Sequence, residues 1–142
     1  MPTYTLDEIK QAQDTAIQLG MIGCGVFCLI KPEEAQKACN GIGASWMPES
    51  ARKICDKRYK DLQIPAMIHD VQYEYGTGTD EDFRNANYNL YVNGCIMAKS
   101  RYGWYNPLRY LVMHDAKKLA GICDLFGKVA YEEAVQAHKE SK

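Results

Sequence analysis

Apolar and polar positions along this chain recur with a helical period, and no stretch sustains the two-residue alternation of a strand. Leu6, Ile9, Ala16 and Ile17 fall on one stripe that Thr5-Leu6-Asp7-Glu8, with capping-box spacing, opens and Gly20 closes. The apolar run Leu19 to Ile30 contains Gly23 and Gly25, which make it a poor helix, and a bilayer span takes ~20 residues. It is expected to be buried or to line a pocket, with a lipid-touching lip as the alternative. Pro32, followed by Glu33 and Glu34, opens a short helix that Asn40-Gly41 ends. Ser45 and Pro48 suggest the start of a basic helix reaching Tyr59, and Pro65 a helix closed by Gly76-Thr77-Gly78. Thr79-Asp80-Glu81-Asp82 caps a long helix with Phe83, Ala86, Asn87, Leu90, Gly94 and Met97 on one stripe. Asn106-Pro107 begins a further helix through Leu111 and Leu119; Gly121 and Gly127 are expected to break the remainder, leaving a polar, frayed tail. The pattern predicts an all-α fold in a single domain over residues 1–142.

A net charge of -1 argues against nucleic acid as an obligate partner, because neutralising phosphates takes a basic surface. The densest basic cluster, Arg52, Lys53, Lys57, Arg58 and Lys60, is expected to be a solvated helix face, or else a site attracting anionic headgroups. Tyr102, Trp104, Tyr105 and Tyr110 are expected to pack in core and loops, though such side chains also suit a membrane interface. Six cysteines could form three bridges in an oxidising compartment. Asp7, Glu8, Lys10 and Asp14 precede the only apolar run, so no signal peptide and no transmembrane segment are expected, and reduced thiols are the favoured state.

The chemistry concentrates at His69-Asp70-Val71-Gln72-Tyr73, reached after a glycine-spaced segment, Cys39-Asn40-Gly41-Ile42-Gly43. On a helix His69 and Tyr73 lie one turn apart on one face, while Asp70 sits about 100° round. A neutral imidazole can deprotonate water, and a neighbouring carboxylate can hold a hard cation that polarises a carbonyl. This is a toolkit for metal-assisted ester hydrolysis. The short connection after this helix predicts an antiparallel hairpin with the next. At ~1.5 Å per residue on each arm, His69 should face positions 85 to 87, which nominates Asn87, whereas Asp80 and Asp82 should face Tyr73 to Tyr75. Asn87 can accept an imidazole N–H through its amide oxygen but supplies no charge. Asp80 and Asp82 read as first-turn helix charges.

These residues resemble the phospholipase A2 superfamily, particularly short bacterial and prophage members and the related domain of parvovirus capsids. The resemblance rests on Gly41-Ile42-Gly43 as a G-x-G loop, His69 to Tyr73 as H-D-x-x-Y, and Ala86-Asn87-Tyr88-Asn89-Leu90 as the A-D-x-x-(F/L) helix with Asn in place of Asp. It implies a calcium loop before an antiparallel pair of central helices, and calcium-dependent hydrolysis of the sn-2 ester of glycerophospholipids at a membrane surface. By the matched positions, the main-chain carbonyls of Cys39, Gly41 and Gly43 and the carboxylate of Asp70 would bind Ca²⁺. His69 would activate water, and Tyr73 and Asn87 would support it. Where secreted members carry cysteines, this chain has Pro65, Ala66 and Gln72, so the family's disulfide frame is absent. With no signal peptide and reduced thiols expected, the location is expected to be cytoplasmic or virion-associated. The neutral Asn87 keeps open a catalytically weak or inactive lipid-binding or structural protein of a phage particle, and predicts that Asn87→Asp raises activity. A rival enzyme reading takes His69, His114-Asp115 and Asp124 as transition-metal ligands of an HD-type phosphohydrolase.

Overall fold

In the structure, a computed structural model, residues 3–39, 50, 53 and 57–141 are described. The predicted stop at Asn40-Gly41, the glycines Gly41 and Gly43, the start at Ser45 and Pro48, and Arg52 lie outside the described residues. All the described elements are helical. Helix α1 (Leu6–Leu19) carries the capping box: the Thr5 hydroxyl accepts from the Glu8 amide (3.1 Å) and the Thr5 amide donates to the Glu8 carboxylate (3.0 Å). Gly20, at φ 67°, ends it in the left-handed conformation that glycine adopts without a Cβ penalty. Ile9, Ala12 and Ala16 face inward, but Ile17, expected on the same stripe, is exposed. Its position is one step past Ala16, at the edge of the buried face.

The apolar run divides its side chains. A five-residue helix α2 (Gly25–Leu29) forms inside it, burying Phe27 and leaving Val26 and Leu29 exposed. The buried Gln13 amide donates to the Phe27 and Ile30 carbonyls (2.8 and 3.2 Å) and ties α2 to α1. Helix α3 (Pro32–Ala38) has Pro32 at its first position and Glu33 and Glu34 in its first turn, as predicted. It ends in extended backbone at Cys39.

A 3₁₀ turn (Lys60–Leu62) leads into α4 (Gln63–Glu74), so the helix starts two residues before Pro65. Proline is tolerated there because a first-turn N–H has no intrahelical acceptor to lose. Helix α5 (Asp80–Arg101) is capped by the Thr79 hydroxyl, and α6 (Pro107–Phe126) by the Asn106 side chain. Gly121 does not break α6. A Cβ there would meet nothing within 4 Å, so the glycine lies on an open face, while Val112, Ala116 and Ala120 bury the opposite side. Gly94 lets α5 approach α6 closely: a Cβ on it would stand 2.4 Å from the Ala116 methyl.

The expected frayed tail is also corrected. Residues Lys128–Glu140 form helix α7, because Tyr131 and Val135, one turn apart, cover Tyr73, Phe83 and Ala86. Burying an aromatic side chain of this size stabilises by roughly 1.5–3 kcal/mol, enough to hold a mostly polar helix in place. The Tyr131 hydroxyl also accepts from the Gly78 amide (2.9 Å), fastening α7 to the α4–α5 turn. Helix α4 is thus flanked by α5, α7, α2 and α3. One core cluster joins α1, α2, α3 and α4, a second sits between α4, α5 and α6, and a third lies under α7.

Tyr102 donates to Asp61 (2.9 Å), but Trp104, Tyr105 and Tyr110 are exposed, contrary to the core-packing expectation. Trp104 and Tyr105 precede the Asn106-Pro107 start, and Tyr110 lies on the solvent side of α6. Cys24, Cys28, Cys39, Cys95 and Cys123 are free thiols. Among the described residues, no helix is long and apolar enough to cross a membrane.

Candidate active site

Helix α4 places His69 and Tyr73 one turn apart on its buried face, with ring centroids 4.1 Å apart. Helix α5 returns antiparallel and brings Asn87, fully buried, opposite them. The Asn87 Oδ1 atom lies 2.7 Å from His69 Nε2 and accepts from the Tyr73 hydroxyl at 2.7 Å. From α6, a carboxylate oxygen of Asp124 accepts from Asn87 Nδ2, also at 2.7 Å. The turn arithmetic on the hairpin therefore locates the partner of His69. Asp80 and Asp82 lie at the hairpin turn: Asp80 pairs with Lys128, and Asp82 accepts from the Thr77 amide (3.1 Å) and hydroxyl (2.6 Å).

The Asn87 amide fixes proton positions. Its Oδ1 can only accept, so His69 Nε2 must carry the proton and the lone pair falls on Nδ1. Burial lowers the His69 pKa to about 4, while its hydrogen bond with Asn87 and the charge of Asp124 pull the other way. The imidazole is accordingly neutral at pH 7, the form that can accept a proton from water. Burial raises the Tyr73 phenol well above its ordinary range, so it remains a donor. Tyr73 is boxed in by Phe83 and Tyr131, with centroids at 5.9 and 5.1 Å. Gly127, at the α6–α7 corner, has no room for a side chain: a Cβ would fall 2.9 Å from the Tyr73 hydroxyl and 2.6 Å from the Cys123 carbonyl.

Of the four ligand positions that the resemblance nominates, Cys39 and Asp70 are described and Gly41 and Gly43 are not. Cys39 is buried at the end of α3, its thiol 3.6 Å from the Met67 carbonyl. Burial, then the charges of Asp70 and Glu74, push that thiol far above its usual range. The Cys39 thiol, at the last described position before the glycine-bearing segment, is therefore within electrostatic reach of the Asp70 carboxylate. On the other side, burial followed by the charges of Asp70 and Asp124 raises the Cys123 thiol to about 12, so neither flanking cysteine is a thiolate at neutral pH.

The rival metal set is not assembled. His114 is exposed, Asp115 pairs with Arg58 at 3.3 Å, and Asp124 is engaged by Asn87. Among the described residues, no three His, Cys, Asp or Glu side chains converge as metal ligands. Asp124 is the member of the Asn87 network that sequence reasoning placed elsewhere. Its contact spans 37 residues and follows from the α5–α6 crossing, for which the local sequence carries no signal. No family model, curated protein or solved structure matches the chain.

Proposed function

We propose that this chain is a calcium-dependent, phospholipase A2-like hydrolase of the sn-2 ester of glycerophospholipids. The observation that carries the reading is the hydrogen bond between His69 Nε2 and Asn87 Oδ1, which turns a buried, neutral imidazole into a base at Nδ1. It falls within the ordered set of G-x-G segment, H-D-x-x-Y helix and A-N-x-x-L helix. His69 Nδ1 takes a proton from the attacking water, and the imidazolium is stabilised through Asn87 Oδ1. Tyr73 donates to that same oxygen from the next turn of α4. Bound through the Asp70 carboxylate and the main-chain carbonyls of Cys39, Gly41 and Gly43, Ca²⁺ would supply electrostatic stabilisation of the developing oxyanion. Leu125, Phe126 and Val129 stand exposed at the same α6–α7 corner as Asp124, an apolar edge suited to a phospholipid surface.

The neutrality of Asn87 favours a second reading, in which the same site binds lipid with little or no turnover. Fatty-acid release from mixed phospholipid vesicles separates the two, measured with calcium, with EGTA and with His69→Gln. Release that needs calcium and is lost in the variant supports hydrolysis. Vesicle binding without release supports the second reading, and turnover of phosphate esters with Mn²⁺ would favour the phosphohydrolase.

A further inference from the structure

Asn87 offers one amide to three neighbours, and the two faces of an amide are not interchangeable. With Oδ1 toward α4 it accepts from Tyr73 and from a proton on His69 Nε2, and Nδ2 then donates to Asp124. Turned over, the amide would set Oδ1 against a carboxylate, a repulsive contact, and present Nδ2 to His69 Nε2. The second arrangement moves the imidazole proton to Nδ1 and abolishes the base. Without Asp124 the two orientations are close in energy, because a tyrosine hydroxyl can donate or accept and a neutral histidine has two tautomers.

The placement of Asp124 points the same way. It lies in the last turn of α6, where the helix dipole disfavours negative charge, and as a residue it is exposed, although one carboxylate oxygen meets Asn87. Water screens most of its charge, so orientation outweighs direct electrostatic support of the imidazolium. We infer that Asp124 is a positioning residue which, by holding Asn87 Nδ2, keeps Oδ1 on His69 Nε2 and so selects the tautomer that leaves Nδ1 as base. The inference rests on the hydrolase reading for its consequence, but its structural half stands apart from turnover.

A carboxylate at position 87 has two equivalent oxygens and nothing to orient, so the need for Asp124 disappears once Asn87 is replaced by Asp. It also places like charge against Asp124. The effect of removing Asp124 should therefore change sign between backgrounds. Asp124→Ala alone is expected to lower kcat about three- to tenfold with KM and melting temperature little changed. In an Asn87→Asp background the same change is expected to leave kcat equal or higher. Nitrogen-15 spectra of the histidine rings at pH 7 provide the second readout: the Nε2–H form of His69 in the parent, a mixture in Asp124→Ala, and Nε2–H again in the double variant. Equal losses in both backgrounds, or an unchanged His69 tautomer in Asp124→Ala, would overturn the inference. Absence of fatty-acid release from the parent alongside the expected spectra would instead overturn the hydrolase reading and leave the positioning role supported.

Discussion

Helix α5 buries two asparagines completely, and they have opposite consequences. Asn93 makes two hydrogen bonds, both to one residue's backbone: it accepts from the Ile22 amide (2.8 Å) and donates to the Ile22 carbonyl (2.9 Å). It pins the loop between α1 and α2, in which Gly23, at φ 67°, has no space for a Cβ because Gln72 and Asn89 stand within 2.5 Å. Asn87, less than two turns earlier, meets a histidine, a tyrosine and an aspartate through their side chains. Both amides are satisfied, as burial requires. The difference lies in what they satisfy: main-chain groups that cannot change protonation, or an imidazole that can. Burial and saturation alone therefore do not tell the two asparagines apart, whereas the chemistry of their partners does.

That contrast can be broken by experiment. The largest expected effect is on turnover: Asn87→Ala should lower kcat about 10²- to 10³-fold, within the usual range for general-base catalysis. Asn93→Ala should leave kcat per folded molecule unchanged, and the reverse pattern in a steady-state lipid assay would dissolve the distinction. The second effect is on acid stability in calcium-free buffer. His69, facing Asn87, Tyr73 and the charge of Asp124, has a pKa near 4 when folded, against 6.5 when exposed. Between these values the unfolded chain binds a proton that the folded chain excludes, so stability is complete above about pH 6.5 and is lost as pH falls towards 4. The change amounts to about 3 kcal/mol, measurable by denaturant titration at pH 7 and 4 and smaller by that amount in His69→Gln.

Smaller still, Asn93→Ala should cost about 2 kcal/mol of stability, because it strands both polar groups of Ile22. Equal midpoints for the variant and the parent would show that water replaces the amide. Tyr131→Phe removes the acceptor of the Gly78 amide and should cost about 1 kcal/mol, read as faster exchange of that amide proton.

The parts of this architecture written in local sequence are its helix starts and its central hairpin. Thr5, Thr79 and Asn106 accept from their own first turns, so three residues suffice to see each cap. The His69–Asn87 pairing follows from a short turn and a constant rise, which is why counting residues from the turn reaches it. Gly121 misleads because a glycine's cost of ~1 kcal/mol is offset by the interface on the other side of α6. Helix α7 was hidden for a related reason: Tyr131 and Val135 are sparse among charges, and their value comes from Tyr73 and Phe83, far away in sequence. Asp124 was not legible as a partner of Asn87, since its role is created by the crossing of α5 and α6 that Gly94 permits.

The central claim is that His69, held by Asn87, activates water against the sn-2 ester. A phosphatidylcholine with an isotopically labelled sn-2 chain, incubated in vesicles with calcium and read by mass spectrometry, addresses it most directly. The account predicts labelled free fatty acid and unlabelled lysophospholipid, both abolished by EGTA and by His69→Gln. Release of the sn-1 chain, or sn-2 release that persists in His69→Gln, would contradict it.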